Sequence, residues 1–325
     1  DLVIEAVFES RKIKADVTAK TEAVIPETSV FASNTSTLPI TGLATASKRP
    51  EQFIGIHFFS PVDKMPLVEI IVGEKTNDET IARALDYVGQ LRKTPIVVND
   101  SRGFYTSRCF GTYTNEGMTL LKEGVNPALI ENVARGAGMP VGPLAVTDEV
   151  AIELAYKVMK QTEADMGDKF VRPSSYEVVT KFVEELDRKG KRSGKGFYEY
   201  PEGGRKHLWE GLAEIYPLAA EQPDREEVKK RLLYIQALET SRCMEEGVVT
   251  HAEDADIGSI FGWGFPPYTG GTLSFIDTVG LKEFVAECDR MAKAYGDRFK
   301  VSDWLRKKAA DGERFYPLPA SDAAA

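Results

Sequence analysis

Along the first hundred positions the apolar residues switch between two spacings. Leu2-Val3-Ile4 and Ala6-Val7 form a short, nearly continuous apolar run, the signature of a strand buried on both faces. Over residues 10–24 the spacing becomes helical, and Pro26 ends that helix. Val30-Phe31-Ala32-Ser33 predicts another buried strand, which runs out into the small polar residues Asn34-Thr35-Ser36-Thr37. A turn at 47–50 leads to a strand over 53–58 and a further strand over 67–72. Residues 78–91 predict an amphipathic helix with Asp78 near its N-cap, and 95–100 one more strand. Strands alternating with helices at this spacing predict an α/β layer with a parallel sheet.

From Gly103 onward the pattern is helical. Residues 103–123 keep helical spacing up to Gly124, a C-cap position, and Asn126-Pro127 opens the next helix with proline in its first turn. A Gly- and Pro-rich loop over 136–143 precedes a helix expected at 148–159. The chain then repeats itself. Arg231, Glu239, Glu246 and Gly247 follow Arg108, Glu116, Glu123 and Gly124 at one offset of 123 positions (108 to 231, 124 to 247). Gly262-Trp263-Gly264-Phe265-Pro266-Pro267 stands where Gly138-Met139-Pro140 stood, a few residues later, and Ile276-Asp277-Thr278-Val279-Gly280 echoes Val146-Thr147-Asp148-Glu149-Val150. Two copies make a duplicated helical module and not a solenoid. The expected organisation is an α/β region over 1–101, a first helical domain over 102–200, a linker over 201–228 and a second helical copy over 229–325, with 320–325 frayed. The first copy is expected to close over a substrate and the second to pack against it in the manner of a dimer partner, or both serve as packing scaffold. Trp263 and Phe265 are expected in the core.

Composition narrows the class. With 325 residues, 42% apolar and 28% charged, the chain suits a globular protein of about two domains, and no apolar run is long enough to span a membrane. A net charge of −9 argues against nucleic acid as the main partner. Three widely separated cysteines, Cys109, Cys243 and Cys288, give neither a metal-ligand spacing nor a disulfide framework, so a reducing, cytoplasmic compartment is expected. The chain opens Asp1-Leu2-Val3 inside an apparent strand, without an initiator methionine, which suggests a piece of a longer polypeptide.

The chemistry concentrates around His57, one of three histidines, at the end of the 53–58 strand. Glu69 follows twelve positions later on the next strand, within reach of the imidazole. Such a pair moves protons near neutral pH, because the carboxylate fixes the tautomer and stabilises the imidazolium. A buried histidine satisfied by a carboxylate without chemistry has the same signature. Asn34 and Ser36 also fall at strand ends, where α/β sheets bind ligands. His207 and His251 lie in a polar stretch and at a helix start, and both are expected to be non-catalytic. No Gly-x-Gly-x-x-Gly loop precedes a helix, and Gly190, Gly194 and Gly196 lie in a basic turn leading to a strand.

Together these residues resemble a known family. Ala32-Ser33-Asn34-Thr35-Ser36, Gly55-Ile56-His57-Phe58-Phe59-Ser60-Pro61, Leu67-Val68-Glu69 and Asp100-Ser101-Arg102-Gly103-Phe104 with Arg108 are similar to the motifs of L-3-hydroxyacyl-CoA dehydrogenases. The match runs in order to Gly194-Lys195-Gly196-Phe197-Tyr198. Residues after 228 resemble the second helical repeat in α-subunits of multifunctional fatty-acid β-oxidation enzymes. The resemblance implies an incomplete Rossmann-like parallel sheet and NAD as cofactor. It implies His57 as general base with Glu69 as its acidic partner, Ser36 on the substrate oxygen, Asn34 beside the nicotinamide, and Glu9 and Lys14 near the cofactor. Ser60 and Ser107 stand where the family usually carries Asn; Ser60 is expected at the cofactor and Ser107 at the oxyanion contact.

Two functions of different class follow. One is NAD-dependent oxidation of a 3-hydroxyacyl-CoA thioester, with a thiolase β-subunit or a second copy of the chain as candidate partners, and with activity impaired where the glycine loop is missing. The alternative is a non-catalytic scaffold or assembly segment of a multifunctional complex.

Overall fold

The computed structural model describes residues 1–317. In chain order the first elements are β1 (Leu2–Glu5), α1 (Arg11–Glu22), β2 (Val30–Ser33), α2 (Ile40–Ala44), β3 (Phe53–Phe58), β4 (Leu67–Val72), α3 (Asp78–Gln90) and β5 (Thr94–Asn99). The five strands form one sheet in the order β1-β2-β3-β4-β5. β1, β2 and β3 run parallel, as expected, but β4 pairs antiparallel with β3, and β5 then runs parallel to β4. The sheet is therefore mixed. The reason is the connection: only residues 59–66 separate β3 from β4, and a parallel crossover needs about a dozen or more.

Val30, Ala32, Ile54, Ile56, Val68 and Ile70 form the core of the sheet with Ala84 and Val88 of α3. Each valine or isoleucine among them gains about 1.5 to 3 kcal/mol on full burial. The N-cap of α3 is Asn77, one residue before the expected Asp78; its side chain accepts from Thr80 N at 2.9 Å. α2 was not foreseen. Its N-terminal N–H groups, of Ile40 and Thr41, are taken by the Asp100 carboxylate at 2.8 and 2.7 Å.

The helical elements are α4 (Thr106–Lys122), α5 (Pro127–Gly136), α6 (Pro143–Val150), α7 (Ile152–Met166), α8 (Tyr176–Thr180), α9 (Leu212–Ile215), α10 (Arg225–Glu245), α11 (Ala252–Trp263), α12 (Thr272–Val279), α13 (Leu281–Tyr295) and α14 (Asp303–Ala310). A small hairpin pairs β6 (Tyr198–Glu199) with β7 (His207–Leu208). The single helix expected over 148–159 is two, because Ala151 takes a left-handed φ of 87° between α6 and α7. Residues 201–228, expected as a linker, carry β7, α9 and the first turn of α10. Frayed ends at 320–325 lie outside the described residues.

The duplication extends further than its sequence trace. α6 and α12 have equal length and begin 129 positions apart (Pro143, Thr272), as do α7 and α13 (Ile152, Leu281). Gly280, with φ 93°, stands where Ala151 does. In the first copy Asp148 accepts from Phe197 N and Tyr198 N, each at 2.9 Å; in the second, Asp277 accepts from Phe315 N at 3.0 Å and Tyr316 N at 2.8 Å. Glu131 caps α6 through Leu144 N at 2.8 Å, and Asp256 caps α12 through Leu273 N at 2.7 Å.

The chain divides into two compact units, one of Asp1–Cys109 with the chain from Ala237 onward, the other of Phe110–Gln236. In the first, α11 packs on β4 and β5, and Arg108 pairs with Glu239 and Glu246, both at 2.5 Å. In the second, Arg231 pairs with Glu116 at 2.6 Å and Glu123 at 2.5 Å. Each repeated arginine thus engages the glutamates of the other copy. Trp263 and Phe265 are buried, as expected, and so are the three cysteines. Among the described residues no helix is long and apolar enough to cross a membrane.

Candidate active site

The antiparallel register sets His57 directly across from Glu69. Directly opposed residues on one face of such a pair have Cβ atoms about 4.5 to 5.5 Å apart, so the two side chains meet without any loop having to place them. His57 Nδ1 lies 2.9 Å from Glu69 Oε2. Both are buried, His57 at 6% exposure and Glu69 at 0%.

Glu69 is held on every side. Thr106 Oγ1 donates to its Oε2 at 2.6 Å, while the backbone N–H groups of Tyr105 and Thr106 donate to its Oε1 at 3.0 Å each. The last two belong to the start of α4, so the carboxylate also occupies the positive end of that helix. A carboxylate only accepts hydrogen bonds, so Nδ1 of His57 donates to it and Nε2 keeps a lone pair. No other hydrogen bond to the His57 ring occurs among the described residues. Phe59 packs against the imidazole at 4.5 Å between centroids, tilted by 41°, and Phe104 lies at 6.2 Å.

The polar stretch after β2 lies beside this pair. Asn34 Oδ1 accepts from Phe58 N at 3.0 Å, which fixes the amide next to His57 and leaves its Nδ2 donors unused by protein. Ser36 is exposed, and its hydroxyl has no protein partner among the described residues. Glu9 shapes this loop: its Oε1 receives Thr35 Oγ1 at 2.6 Å, Ser36 N at 3.0 Å and Thr37 N at 3.1 Å. Lys14 is 1% exposed; it donates to Glu5 at 2.8 Å and lies 3.8 Å from Glu9. Ser33, also buried, donates to Glu5 in turn. Ser60 is exposed at the cis bond to Pro61, and Ser107 is half-buried in the first turn of α4. The structure therefore bonds His57 to Glu69 and sets Asn34 on the backbone N–H of the residue after His57, with Ser36 on the loop that Glu9 braces. His207 and His251 are exposed and belong to other elements.

Sequence reasoning missed Tyr105 and Thr106. The available signal was Thr106-Ser107 opening a long apolar helix, a start that calls for an acceptor for its free N–H groups. That acceptor comes from β4.

Residues 1–101 match the model of the 3-hydroxyacyl-CoA dehydrogenase NAD binding domain, and residues 103–200 that of the 3-hydroxyacyl-CoA dehydrogenase C-terminal domain. The chain belongs to the 3-hydroxyacyl-CoA dehydrogenase family. It is 41% identical over 319 residues to the fatty acid oxidation complex subunit alpha of Shewanella frigidimarina, a match that covers 97% of this chain and 44% of that protein. The chain thus spans under half the length of that relative. The dehydrogenase part of multifunctional enzyme 1 from C. elegans superposes with a TM-score of 0.65 at 27% identity, over 94% of this chain and 71% of that one. Escherichia coli 3-hydroxybutyryl-CoA dehydrogenase shares the fold, with a TM-score of 0.78 at 22% identity over 96% of this chain and 81% of that one. In this dehydrogenase-family chain the sheet and the first helical copy thus carry the family matches.

Proposed function

We propose that this chain carries the acid–base machinery for NAD-dependent oxidation of an L-3-hydroxyacyl-CoA to the 3-oxoacyl-CoA, a step of fatty-acid β-oxidation. The observation that supports it most is the His57–Glu69 pair, with Nδ1 committed to the carboxylate and Nε2 left as a base. His57 Nε2 takes the proton of the 3-hydroxyl while the C3–H bond breaks and its hydride departs, so that the C3–O bond becomes a carbonyl. Glu69 stabilises the imidazolium that forms. Ser36 holds the substrate oxygen through its free hydroxyl, and Ser107 supplies a second donor toward it.

NAD, when bound, supplies the hydride acceptor. The residues present fit its nicotinamide end: Asn34 offers unpartnered amide N–H groups and lies beside His57, at the carboxyl ends of parallel strands where such sheets bind ligands. Glu9 and Lys14 serve the cofactor side through the loop they brace, since Glu9 bonds that loop and Lys14 is buried against Glu5. Ser60 stands at the exposed rim. By analogy with the name of the Shewanella protein, the chain works beside a further subunit; a thiolase, which consumes 3-oxoacyl-CoA, is the chemistry that fits.

The test is NADH formation by the protein carrying this chain from the L and D forms of 3-hydroxybutyryl-CoA and of a longer 3-hydroxyacyl-CoA. L-specific NAD reduction is expected. Failure to reduce NAD with either enantiomer, by folded protein that binds NAD, would point to the scaffold role.

A further inference from the structure

Tyr105 faces two ways. Its backbone N–H donates to Glu69 Oε1 at 3.0 Å, while its fully buried ring enters the second helical copy. There the hydroxyl donates to the Ala255 carbonyl at 2.7 Å and lies 3.4 Å from the hydroxyls of both Thr240 and Thr272. Those partners sit on α11, α10 and α12, so one hydroxyl is pinned among three helices of the copy. Trp263 meets the ring edge-on at 5.4 Å, and a Cβ on Gly258 would press on it at 2.9 Å. The backbone leading into Tyr105 is unrelaxed: Gly103 and Phe104 take φ values of 74° and 50°, the second costly for a bulky side chain.

One turn along α11, Gly262 reaches the same support. A Cβ there would meet Leu67 Cδ2 at 3.0 Å, Thr106 Cγ2 at 3.3 Å and Phe59 Cε1 at 3.8 Å. Thr106 is the residue whose hydroxyl and N–H both hold Glu69, and Phe59 packs against the His57 ring.

We propose that the second helical copy positions the His57–Glu69 pair, with Tyr105 and Gly262 as its positioning residues. This rests on the reading of His57 as the base. Neither residue touches substrate. Tyr105, fixed at its hydroxyl end, sets where the N–H groups of 105 and 106 lie, and they set the Glu69 carboxylate. Gly262 lets α11 approach closely enough to back Thr106 and Phe59. The copy that duplication added thereby acts on the geometry of the proton acceptor, beyond filling a core.

The test compares Tyr105→Phe, Gly262→Ala and the double variant Gly262→Ala/Thr106→Ser in the protein carrying this chain, with His57→Gln alongside. The readouts are kcat, KM for the acyl-CoA, and the ¹⁵N signals of the His57 ring. Each single variant is expected to lower kcat about 10- to 100-fold, the cost of a small misplacement, with KM changed less than about threefold and the His57 signals shifted. Thr106→Ser removes one of the two methyls that a new Cβ at position 262 would crowd and keeps the hydroxyl on Glu69, while Leu67 Cδ2 stays at 3.0 Å, so the double variant recovers part of the loss. Folded single variants with kcat within about twofold of the parent and unmoved His57 signals would overturn the proposal. Should Tyr105→Phe fail to fold, the Gly262→Ala pair decides alone. Should His57→Gln keep its activity, the reading of the base is what fails, and the ¹⁵N shifts still decide whether Tyr105 and Gly262 position the pair.

Discussion

Glu69→Gln isolates what the carboxylate does for His57. The amide is nearly isosteric, and its oxygen can keep the two backbone bonds from Tyr105 and Thr106, so the start of α4 stays capped. Its NH₂ then faces His57 Nδ1 and the Thr106 hydroxyl, at positions now spanned by contacts of 2.9 and 2.6 Å. Thr106 adapts, because a hydroxyl both donates and accepts. His57 does not: Nδ1 must become the acceptor, and the proton moves to Nε2, the atom that should receive the substrate proton. Two losses combine. A charge-assisted bond to the imidazolium is worth about 1.5 to 3 kcal/mol, and recovering the reactive tautomer leaves two donors opposed in a buried site for about 1 to 3 kcal/mol more. Together they predict a fall of about 10²- to 10⁴-fold in kcat at little change in KM. Single-turnover NADH formation with saturating acyl-CoA measures it, and ¹⁵N spectra of the ring report the tautomer. A kcat within about fivefold of the parent, with His57 still protonated on Nδ1, would refute this account of the pair.

Other outcomes follow from the helical copies. Replacing Arg231 with Leu removes its ion pair to Glu116, whose side chain is only 1% exposed, and should cost about 3 to 5 kcal/mol in urea unfolding. Arg108→Leu should cost less, because Glu246 is half exposed. Burial pushes the Asp148 carboxyl up to about 6 against its bonds from Phe197, Tyr198 and Tyr200, so its ¹³C signal should titrate near that pH. The folded state then holds a proton that the unfolded chain releases at lower pH. The contribution of Asp148 to stability therefore falls as pH rises from about 4 to 6, by on the order of 2 to 3 kcal/mol, and is flat above. Burial also raises Glu131 and Asp256, which adds in the same direction. An Asp148→Asn variant whose unfolding midpoint kept the parent's dependence on pH between 4 and 6 would contradict this. Asn77→Ala should lower stability by about 1 kcal/mol through loss of the α3 cap, read as a lower urea midpoint at unchanged slope.

The strands were legible because their apolar runs are short and bounded by polar turns, and the His57–Glu69 pair because both residues lie on such runs. The strand reversal was within reach too, since the 59–66 connection is too short for a crossover, but the alternation of strand and helix suggested parallel pairing throughout. Other features depend on partners distant in sequence. α2 has five residues and no cap of its own; Asp100, sixty positions on, supplies it. The break at Ala151 carries no glycine to announce it, although Gly280 marks the equivalent place in the second copy. Gly196 is explained only in three dimensions, where a Cβ would collide with the Asp148 carboxylate. The repeat could be read from Arg108 and Arg231, yet the exchange of their glutamate partners could not. At the site, the chemistry-bearing side chains stood out as residue types. Tyr105 and Thr106 did not, because their bonds to Glu69 come from a helix start, two of the three through backbone N–H groups.

The claim that His57 is the proton acceptor is tested most directly by His57→Gln in the protein carrying this chain, in single turnovers at saturating NAD and L-3-hydroxyacyl-CoA. Glutamine has a similar reach and can still bond to Glu69, but it takes up no proton. Hydride transfer slower by at least about 10³-fold is expected, with acyl-CoA binding retained. A rate within about tenfold of the parent would mean that the proton leaves by another route, and that the His57–Glu69 pair is structural.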